Sequence, residues 1–308
     1  MLSNPAMRSY AVFSTNEGES HRIMELARTL PLYRENDRML TEAQIAEFDE
    51  SGYLQAGRVM SDEHADAMRE RLYQVAENRG QRSPEANRNM TGDRQNVVIQ
   101  IVNIWEADDL FYQHLFNPIM CEMMAAVMRT DTIRVWHDQV QYKPAKVGGP
   151  TTWHQDHPYW PIIQPADLVS VWVALDDVDV ENGCMWMVPG SHKWGPHKGG
   201  TIGTRMEDFA PTPDLSQLPE GVDVTPVPMP VKKGHAGIHH CLTWHGSPPN
   251  RSERGRPGIA VHYMPGYTRY EKDPGKTHIV EHNVEVQPGE ILKGKHFPTV
   301  YENGKVLG

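Results

Sequence analysis

The chain has 308 residues, which is enough for one large domain with a buried core or for two small ones. With 39% hydrophobic and 23% charged residues it has the composition of a globular protein, which excludes wholesale disorder. The formal charge of −10 disfavours a nucleic-acid partner and, as a weaker argument, favours neutral or cationic small molecules. No run approaches the ~18 apolar residues of a membrane span, and the N-terminus lacks a secretory pattern, so we expect a cytoplasmic protein without a membrane partner.

Helix signals dominate the first part of the chain. A short helical piece is predicted near Ile23–Leu30, within an N-terminal extension. Thr41 opens the sequence T-E-A-Q, a capping-box pattern that predicts a helix start. Ser61 predicts a second start, with a helix running to about Glu77, and a further apolar helix is predicted over Pro118–Met128. Between them, the polar, glycine- and proline-containing segment 79–95 predicts a mobile loop.

Short β-prone runs replace the helices from Ile133 onward. They are Ile133–Tyr142, Val169–Leu175, Cys184–Val188, Ala236–Leu242 and Gly258–Tyr263. Proline- and glycine-rich turns such as KVGGP and SPPN separate them. Helices followed by many short strands predict a β-sandwich or barrel wrapped by N-terminal helices.

The cysteine and histidine content limits the metal chemistry. The three cysteines, Cys121, Cys184 and Cys241, are far apart and form no CxxC pair, which argues against a disulfide framework and against zinc held by thiolates. The sixteen histidines leave imidazole and carboxylate as the metal-binding groups.

The richest segment for such chemistry is TWHQDHPYW, residues 152–160. Side chains two apart on a strand lie on the same side, so His154 and Asp156 can occupy adjacent positions on one metal ion. A histidine from a distant strand would complete a 2-His-1-carboxylate face and leave positions open for substrates and dioxygen. A second H-x-D, His64 with Asp66, falls in a predicted helix that splays its side chains, and we interpret it as a solvated helix face. The cluster at 136–138, WHD, is interpreted as structural.

The distal ligand must come from the second half of the chain. We choose His245, in TWHGSPPN, over His239 and His240, which stay open as alternatives. Eleven residues beyond it, Arg256 could pair bidentately with a carboxylate bound beside the metal, and Ser247 could add a hydroxyl donor. A surface position for Arg256 is the competing interpretation.

These motifs resemble the phytanoyl-CoA dioxygenase family. The family pattern is W-H-x-D, then G-x-x-x-x-x-P-G-S-H, which is present at Gly183–His192, then H-x-S with an arginine eleven residues after the distal histidine. The opening LTEAQIAEFDESGYL is also similar to the first helix of that family. The likeness covers about residues 40–265 and is missing from residues 1–38 and the last forty.

The resemblance implies a mainly β fold, a double-stranded β-helix (jelly-roll) core with N-terminal and flanking helices. It divides the chain into an extension, 1–40, and a single oxygenase domain, 41–308. Within that domain we expect a helical part over 41–130, the jelly-roll core over 131–270 and a C-terminal extension over 271–308.

The resemblance also implies Fe(II), 2-oxoglutarate as co-substrate, and specific site residues. The implied roles are: His154, Asp156 and His245 as iron ligands; Arg256, Ser247, Trp172 and Gln141 at the 2-oxoglutarate; and Lys143 at the substrate. His157 and Trp160, which directly follow the metal motif, are also expected to bind substrate, with packing as the alternative. For Trp172 a purely structural position in the core is the alternative.

We therefore expect a monomeric or homodimeric dioxygenase that hydroxylates or oxidatively cyclises a small-molecule metabolite, as in natural-product biosynthesis. The partners would be that substrate and O2, in a pocket with an aromatic wall after the metal motif and the 79–95 loop as a lid. An acyl-CoA hydroxylase is one alternative, disfavoured because the chain has no basic cluster for the phosphates of coenzyme A. A halogenase is disfavoured because Asp156 fills the halide position, and a non-oxygenase cupin-like protein has no need of Arg256 and Ser247.

Overall fold

The structure, a computed structural model, describes residues 40–197, 209–214 and 218–308. The helical piece predicted at Ile23–Leu30, with the rest of the N-terminal extension up to residue 39, lies outside the described residues.

The helices of the described chain precede its long central strand. They are α1 (Glu42–Ser51), α2 (Asp62–Ala76), α3 (Ile104–Ala107), α4 (Asp109–Leu115) and α5 (Pro118–Met128). The predicted starts are confirmed, because Thr41 and Gln44 form a capping box and Ser61 Oγ accepts a hydrogen bond from the backbone of His64 at 3.2 Å. The copy of H-x-D at residues 64–66 lies in α2, as predicted.

The strands run through the whole described chain. They are β1 (Tyr53–Arg58), β2 (Ala86–Asn89), β3 (Ile99–Val102), β4 (Thr132–Tyr142), β5 (Thr151–His154), β6 (Ile163–Gln164), β7 (Val169–Ala174), β8 (Met185–Met187), β9 (Val227–Met229), β10 (His235–His240), β11 (His245–Ser247), β12 (Gly258–Pro265), β13 (Arg269–Tyr270), β14 (Thr299–Glu302) and β15 (Lys305–Val306).

Two antiparallel sheets form the core of the fold. The major sheet has nine strands in the order β1-β10-β7-β12-β4-β14-β15, with β3 added to β4 and β2 to β3. The minor sheet has the order β5-β11-β8-β9. Trp172 and Ala260 of the major sheet pack in one cluster with Met185, Met187 and Met229 of the minor sheet, so the two sheets face each other. The mainly β jelly-roll fold expected from the sequence is confirmed.

The strands extend beyond the expected jelly-roll limits of 131–270. The segment 41–130, expected to be helical, also supplies β1, β2 and β3 to the major sheet, and the C-terminal extension supplies β14 and β15. Strand β2 lies inside the segment 79–95 for which a mobile loop is expected. Its sequence, ANRN, has no apolar alternation, and it becomes a strand because it pairs with the fully buried β3.

Strand β7 shows how the major sheet positions the site. Its residues Val169, Val171 and Val173 pack into the large hydrophobic core that the helices cover. The alternate residues Ser170 and Trp172 therefore project from the opposite face, toward the minor sheet. The apolar face of the sheet stabilises the fold, and the other face is free to carry polar side chains.

Candidate metal centre

The two predicted histidine ligands are brought together by strand pairing in the minor sheet. His154 is the last residue of β5 and His245 the first of β11, and the two residues are direct partners in the antiparallel register. Their ring centroids are 4.2 Å apart, and the Nε2 atom of each ring lies 3.7 Å from Oδ1 of Asp156. The three donor atoms lie within 4.8 Å of one another, which makes these residues a potential site for one metal ion.

Asp156 reaches this position from a turn rather than from the strand. The strand ends at His154, and Asp156 has φ −72° and ψ −47°, at the start of a 3-10 turn over His157–Tyr159. Its backbone N–H donates to the carbonyl of Cys241 at 3.0 Å. The expectation that both ligands share one extended strand is therefore wrong in its geometry, because the chain, with Pro158 in the turn, bends immediately after β5.

Both histidine rings are oriented by backbone carbonyls. Nδ1 of His154 is 2.8 Å from the oxygen of Thr152, and Nδ1 of His245 is 2.9 Å from that of Thr243. A carbonyl can only accept, so Nδ1 carries the proton and donates. The lone pair of Nε2 is then available to a metal, which is the usual arrangement of metal-binding histidines.

The protonation states also suit a metal. Burial lowers the pKa of both His154 and His245. Burial alone would raise the pKa of Asp156, but the electrostatic interaction with His245 and the hydrogen bond from His239 hold it well below its usual range. At neutral pH the site therefore presents two neutral imidazoles and a carboxylate, the forms that bind metal.

A row of polar side chains crosses the major sheet beneath the metal centre. His239, Ser170, His262 and His137 are successive cross-strand partners on β10, β7, β12 and β4. The second oxygen of Asp156, Oδ2, is 3.2 Å from both His239 Nε2 and Ser170 Oγ. Ser170 Oγ is in turn 2.7 Å from Nδ1 of His262. The carboxylate is thus fastened to the sheet through the oxygen that faces away from the histidine ligands.

The two alternative ligands lie elsewhere. His239 is not one of the three clustered donors but a neighbour of two of them, with its ring 4.5 Å from that of His245 and its Nε2 directed at Oδ2 of Asp156. Nδ1 of His240 accepts from the backbone of Leu242 at 3.1 Å. Among the described residues, no other group of three His, Cys, Asp or Glu side chains has the spacing of the triad.

Arg256 forms a second feature of the site, a buried cation that has no counter-ion among the described residues. It is 0% exposed, and none of its three guanidinium nitrogens has a hydrogen-bond partner in the described part of the chain. The guanidinium carbon lies 5.1 Å from the ring centroid of Trp172, which lines the cavity. Burial lowers the pKa of Arg256 to about 10. A carboxylate bound beside Trp172 would satisfy these donors, so the residues present fit 2-oxoglutarate.

Lys143 and Ser247 lie behind that cation, and both already make hydrogen bonds within the protein. The ammonium of Lys143 donates to Ser247 Oγ, to the Ser247 carbonyl at 3.0 Å and to the Pro248 carbonyl at 2.9 Å. Ser247 Oγ donates to the carbonyl of Gly183 at 3.0 Å. Lys143 is 0% exposed, does not line the cavity and holds the hairpin that carries Ser247. A contact between Lys143 and substrate, and the role of Ser247 at a carboxylate, stay predictions.

A cavity of about 450 Å³ lies between the sheets at the metal centre. The predicted site residues that line it are His154, Asp156, His245, Trp172, Gln141 and Trp160. His157 does not line it, because its Nε2 lies 3.1 Å from the carbonyl of Ile163 and its ring holds the 3-10 turn together. The expected substrate contact of His157 stays a prediction, whereas its neighbour Tyr159 does line the cavity.

Several lining residues were not assigned to a cavity wall from the sequence. They are Arg88, Met90, Gln100, Val102, His137, Gln139, Met185, His239, Ala260, His262, Thr277, His278 and Ile279. The alternation of His137, Gln139 and Gln141 along β4 is the signal that was missed, since polar residues two apart in a buried strand share one face. The 136–138 cluster, interpreted as structural, therefore contributes His137 to the cavity.

The fold and this site define the class of the protein. It is a 2-oxoglutarate-dependent non-haem iron dioxygenase, with Fe(II) and 2-oxoglutarate as its cofactor and co-substrate. The family model for phytanoyl-CoA dioxygenase matches residues 48–258, more than half of the chain. The chain belongs to the phytanoyl-CoA dioxygenase family.

Known proteins with similar sequences and structures agree with this class. Phytanoyl-CoA dioxygenase domain-containing protein 1 of Danio rerio is 24% identical over 264 residues, 73% of this chain and 90% of that protein. The crystal structure of the non-haem alpha-ketoglutarate-dependent carbocyclase SnoK from nogalamycin biosynthesis superposes with a TM-score of 0.70 at 25% identity, covering 85% of this chain and 97% of SnoK. The epimerase SnoN, in complex with Fe3+, alpha-ketoglutarate and nogalamycin RO, has a TM-score of 0.63 at 21% identity over 84% of this chain and 97% of SnoN, and shows the fold alone. In the described residues, no helix is long and apolar enough to cross a membrane.

Proposed function

We propose that this dioxygenase hydroxylates or oxidatively cyclises a small-molecule metabolite, with release of succinate and CO2 from 2-oxoglutarate. The observation that carries the proposal is that the donor atoms of the triad and the indole next to Arg256 line one cavity of about 450 Å³. A cavity of this size is typical of small-molecule sites. A cupin-like protein without oxygenase activity would have no use for a buried, unpaired guanidinium, whose burial is costly.

The site has three parts: residues that would hold the iron, residues that would hold 2-oxoglutarate, and the cavity wall that would contact the substrate. His154, Asp156 and His245 would hold the iron, and Arg256 with Trp172 would hold the distal carboxylate of 2-oxoglutarate. When bound, iron and 2-oxoglutarate would supply the oxidising chemistry that acts on the substrate. The facing sheets position the substrate and keep the reaction apart from bulk water.

The cavity disfavours an acyl-CoA as substrate. Coenzyme A carries several phosphate charges, which would need a cluster of basic side chains at the entrance. The described residues that line the cavity include one arginine and no lysine. A compact metabolite fits this wall better, and the name of SnoK, a carbocyclase of similar fold, supports ring closure as one form of the reaction.

The test is a screen for iron-dependent succinate formation. The purified protein is incubated with Fe(II), 2-oxoglutarate and O2 against a panel of small metabolites and fatty acyl-CoAs, and products are identified by mass spectrometry. We expect succinate release to be stimulated by members of the small-metabolite group and to be abolished by His245→Ala without loss of the folded circular-dichroism spectrum. Stimulation by acyl-CoAs alone, or succinate release that does not depend on iron, would contradict the proposal.

Arg256→Met tests the co-substrate site separately. The loss of a charge-assisted hydrogen bond is expected to raise the KM for 2-oxoglutarate about ten- to a hundredfold and to remove the rise in melting temperature that 2-oxoglutarate gives the wild type. The matched control is Arg254→Met, two residues away, where the side chain is half exposed and pairs with Asp179. An unchanged KM in Arg256→Met would place the carboxylate elsewhere.

A further inference from the structure

Three strands of the major sheet form one polar wall of the cavity. Arg88 on β2 is the direct cross-strand partner of Gln100 on β3, and Gln100 is the partner of Gln141 on β4. Cross-strand partners project from the same face of a sheet, and Gln139 joins them because it lies two residues from Gln141. All four side chains line the cavity that contains the metal triad.

A chain of hydrogen bonds runs along this wall, and its direction is fixed by Arg88. Nε of Arg88 donates to Oε1 of Gln100 at 2.9 Å, and Nε2 of Gln100 donates to Oε1 of Gln139 at 3.1 Å. A guanidinium has donors only, so the oxygen of Gln100 must face Arg88, and its amide nitrogen must face Gln139. The oxygen of Gln139 is used in turn, which leaves the amide N–H groups of Gln139 as the open end of the chain. The wall therefore presents donors.

The charged residues around the cavity also favour an anionic group of the substrate at this wall. Among the described lining residues, Arg88 is the one arginine and Asp156, a predicted iron ligand, the one carboxylate. Arg88 is exposed, which places its guanidinium at the solvent side of the cavity, and in the described part of the chain its two terminal nitrogens have no hydrogen-bond partner. The net charge of −10 favours a neutral or cationic substrate, but the side chains that would touch the substrate favour an acidic one.

We propose that Arg88 binds an oxyanion of the primary substrate, with the amide of Gln139 at the other end of the hydrogen-bonded chain as a further donor, so that this enzyme acts on small acidic molecules. This inference rests on the proposed function. The rest of the lining, with Tyr159, Trp160 and Ile279, is aromatic or apolar and would pack against the hydrocarbon part of the same molecule. Arg88 and Gln139 thus act as specificity-determining residues, which set the orientation of the substrate relative to the metal.

The test is a binding measurement that needs no turnover. Three matched sets are used, each a carboxylic acid with its methyl ester and its primary amide: benzoic, 2-naphthoic and anthraquinone-2-carboxylic acid. The Kd of each is measured by equilibrium dialysis under anaerobic conditions with Fe(II) and saturating 2-oxoglutarate, so that Arg256 is occupied. We expect the acid of at least one set to bind about ten- to a hundredfold more tightly than its ester and amide, the range for a hydrogen bond to a charged group.

Variants test whether the preference for the acid over its ester and amide depends on Arg88 and Gln139. Arg88→Met is expected to abolish the preference for the acid, Gln139→Leu to weaken it several-fold, and Arg88→Lys to retain part of it. The matched control is Arg94→Met, an exposed arginine of the same segment outside the cavity lining, which is expected to leave the preference intact.

Three results would overturn the inference. They are the absence of any acid preference in the wild type, a preference that survives Arg88→Met, and a raised Kd for 2-oxoglutarate in Arg88→Met, which would assign Arg88 to the co-substrate. These outcomes are separate from failure of the proposed function, which would show as a lack of iron-dependent succinate formation in the turnover screen.

Discussion

The two carboxylate oxygens of Asp156 have different surroundings. Oδ1 faces the two histidine ligands, whereas Oδ2 accepts hydrogen bonds from His239 and Ser170 at 3.2 Å each. Such partners orient a metal-binding carboxylate and keep one oxygen directed at the ion. His239 is therefore a positioning residue for the metal.

His239→Phe is expected to weaken metal binding about ten- to a hundredfold, since it removes the donor to Asp156 while keeping a ring of similar size. His239→Gln, which restores an N–H donor, is expected to recover part of the affinity. The measurement is an anaerobic titration with Fe(II) or Co(II). The control is His240→Phe, one residue along, because His240 makes no hydrogen bond to Asp156. Equal losses in the two phenylalanine variants would show that His239 acts only through packing.

The sequence predicted the triad because its spacing carries the chemistry, but it could not separate ligands from neighbours. His239 and His245 are both buried histidines near the metal, and only the register of β10 on β7 shows that His239 meets the far oxygen of Asp156. Lys143 and His157 were assigned to substrate because they are polar residues near the motif. Their hydrogen bonds to backbone carbonyls, which no sequence pattern displays, remove them from the cavity.

At the scale of elements, the place of Trp172 depends on a glycine in the neighbouring strand. A Cβ at Gly258, the first residue of β12, would lie 2.0 Å from a ring atom of Trp172. Real Cβ atoms do not approach so closely, so the bare backbone of Gly258 is what lets the indole lie flat beside Arg256.

Gly258→Ala is therefore expected to displace the indole, to lower the free energy of unfolding by about 1–3 kcal/mol, as overpacking does, and to raise the Kd for 2-oxoglutarate. Trp172→Phe in the same chain should restore part of the stability, because the smaller ring leaves room for the methyl group. Urea unfolding of the two single variants and the double variant gives the coupling. Strictly additive effects would show that the two residues do not compete for space.

The sequence predicted some helices and strands more accurately than others. Helices α1 and α2 were predicted at their true starts because a cap is a local signal written in three or four residues. Strand β2 was not, because its residues have no strand pattern of their own and depend on partners in β3 that lie 10 to 16 residues further along the chain. As a consequence Arg88, which that strand directs into the cavity, was missed as well.

At the scale of the whole molecule, the C-terminal extension closes the site. Strand β14 pairs with β4 in the major sheet, and Thr277, His278 and Ile279 line the cavity. These residues lie beyond the part of the chain that the family model matches, so no motif could have assigned them. Part of the pocket is thus built from the segment of the sequence that the family resemblance does not reach.

The buried histidines of the molecule predict its response to acid. His114 in α4 is 2% exposed, and burial, followed by the charge of His64, lowers its pKa to about 3. In the unfolded chain the pKa is about 6.5. Between these values the unfolded state binds a proton that the folded state does not, so stability falls as pH falls below about 6.5.

His114→Phe is expected to remove that dependence, making the loss of unfolding free energy between pH 7 and pH 5 smaller than in the wild type by about 2 kcal/mol. The measurement is chemical denaturation at a series of pH values. His282→Phe is the control, because the His282 side chain is 61% exposed. A wild-type slope in the His114 variant would mean that other groups govern acid unfolding.

The pair of basic residues behind Trp172 has a consequence for the amount of protein in a cell. Lys143 and Arg256 face each other across a backbone bridge, both 0% exposed, and no carboxylate of the described chain pairs with either. Burial, and then the charge of Arg256, holds the pKa of Lys143 well below its ordinary value. A metabolite whose carboxylate pairs with these buried cations would bind the folded state and not the unfolded state. At a concentration ten times its Kd, such a ligand adds about 1.4 kcal/mol to the free energy of unfolding. The folded fraction, and with it resistance to proteolysis, would then rise and fall with the supply of 2-oxoglutarate.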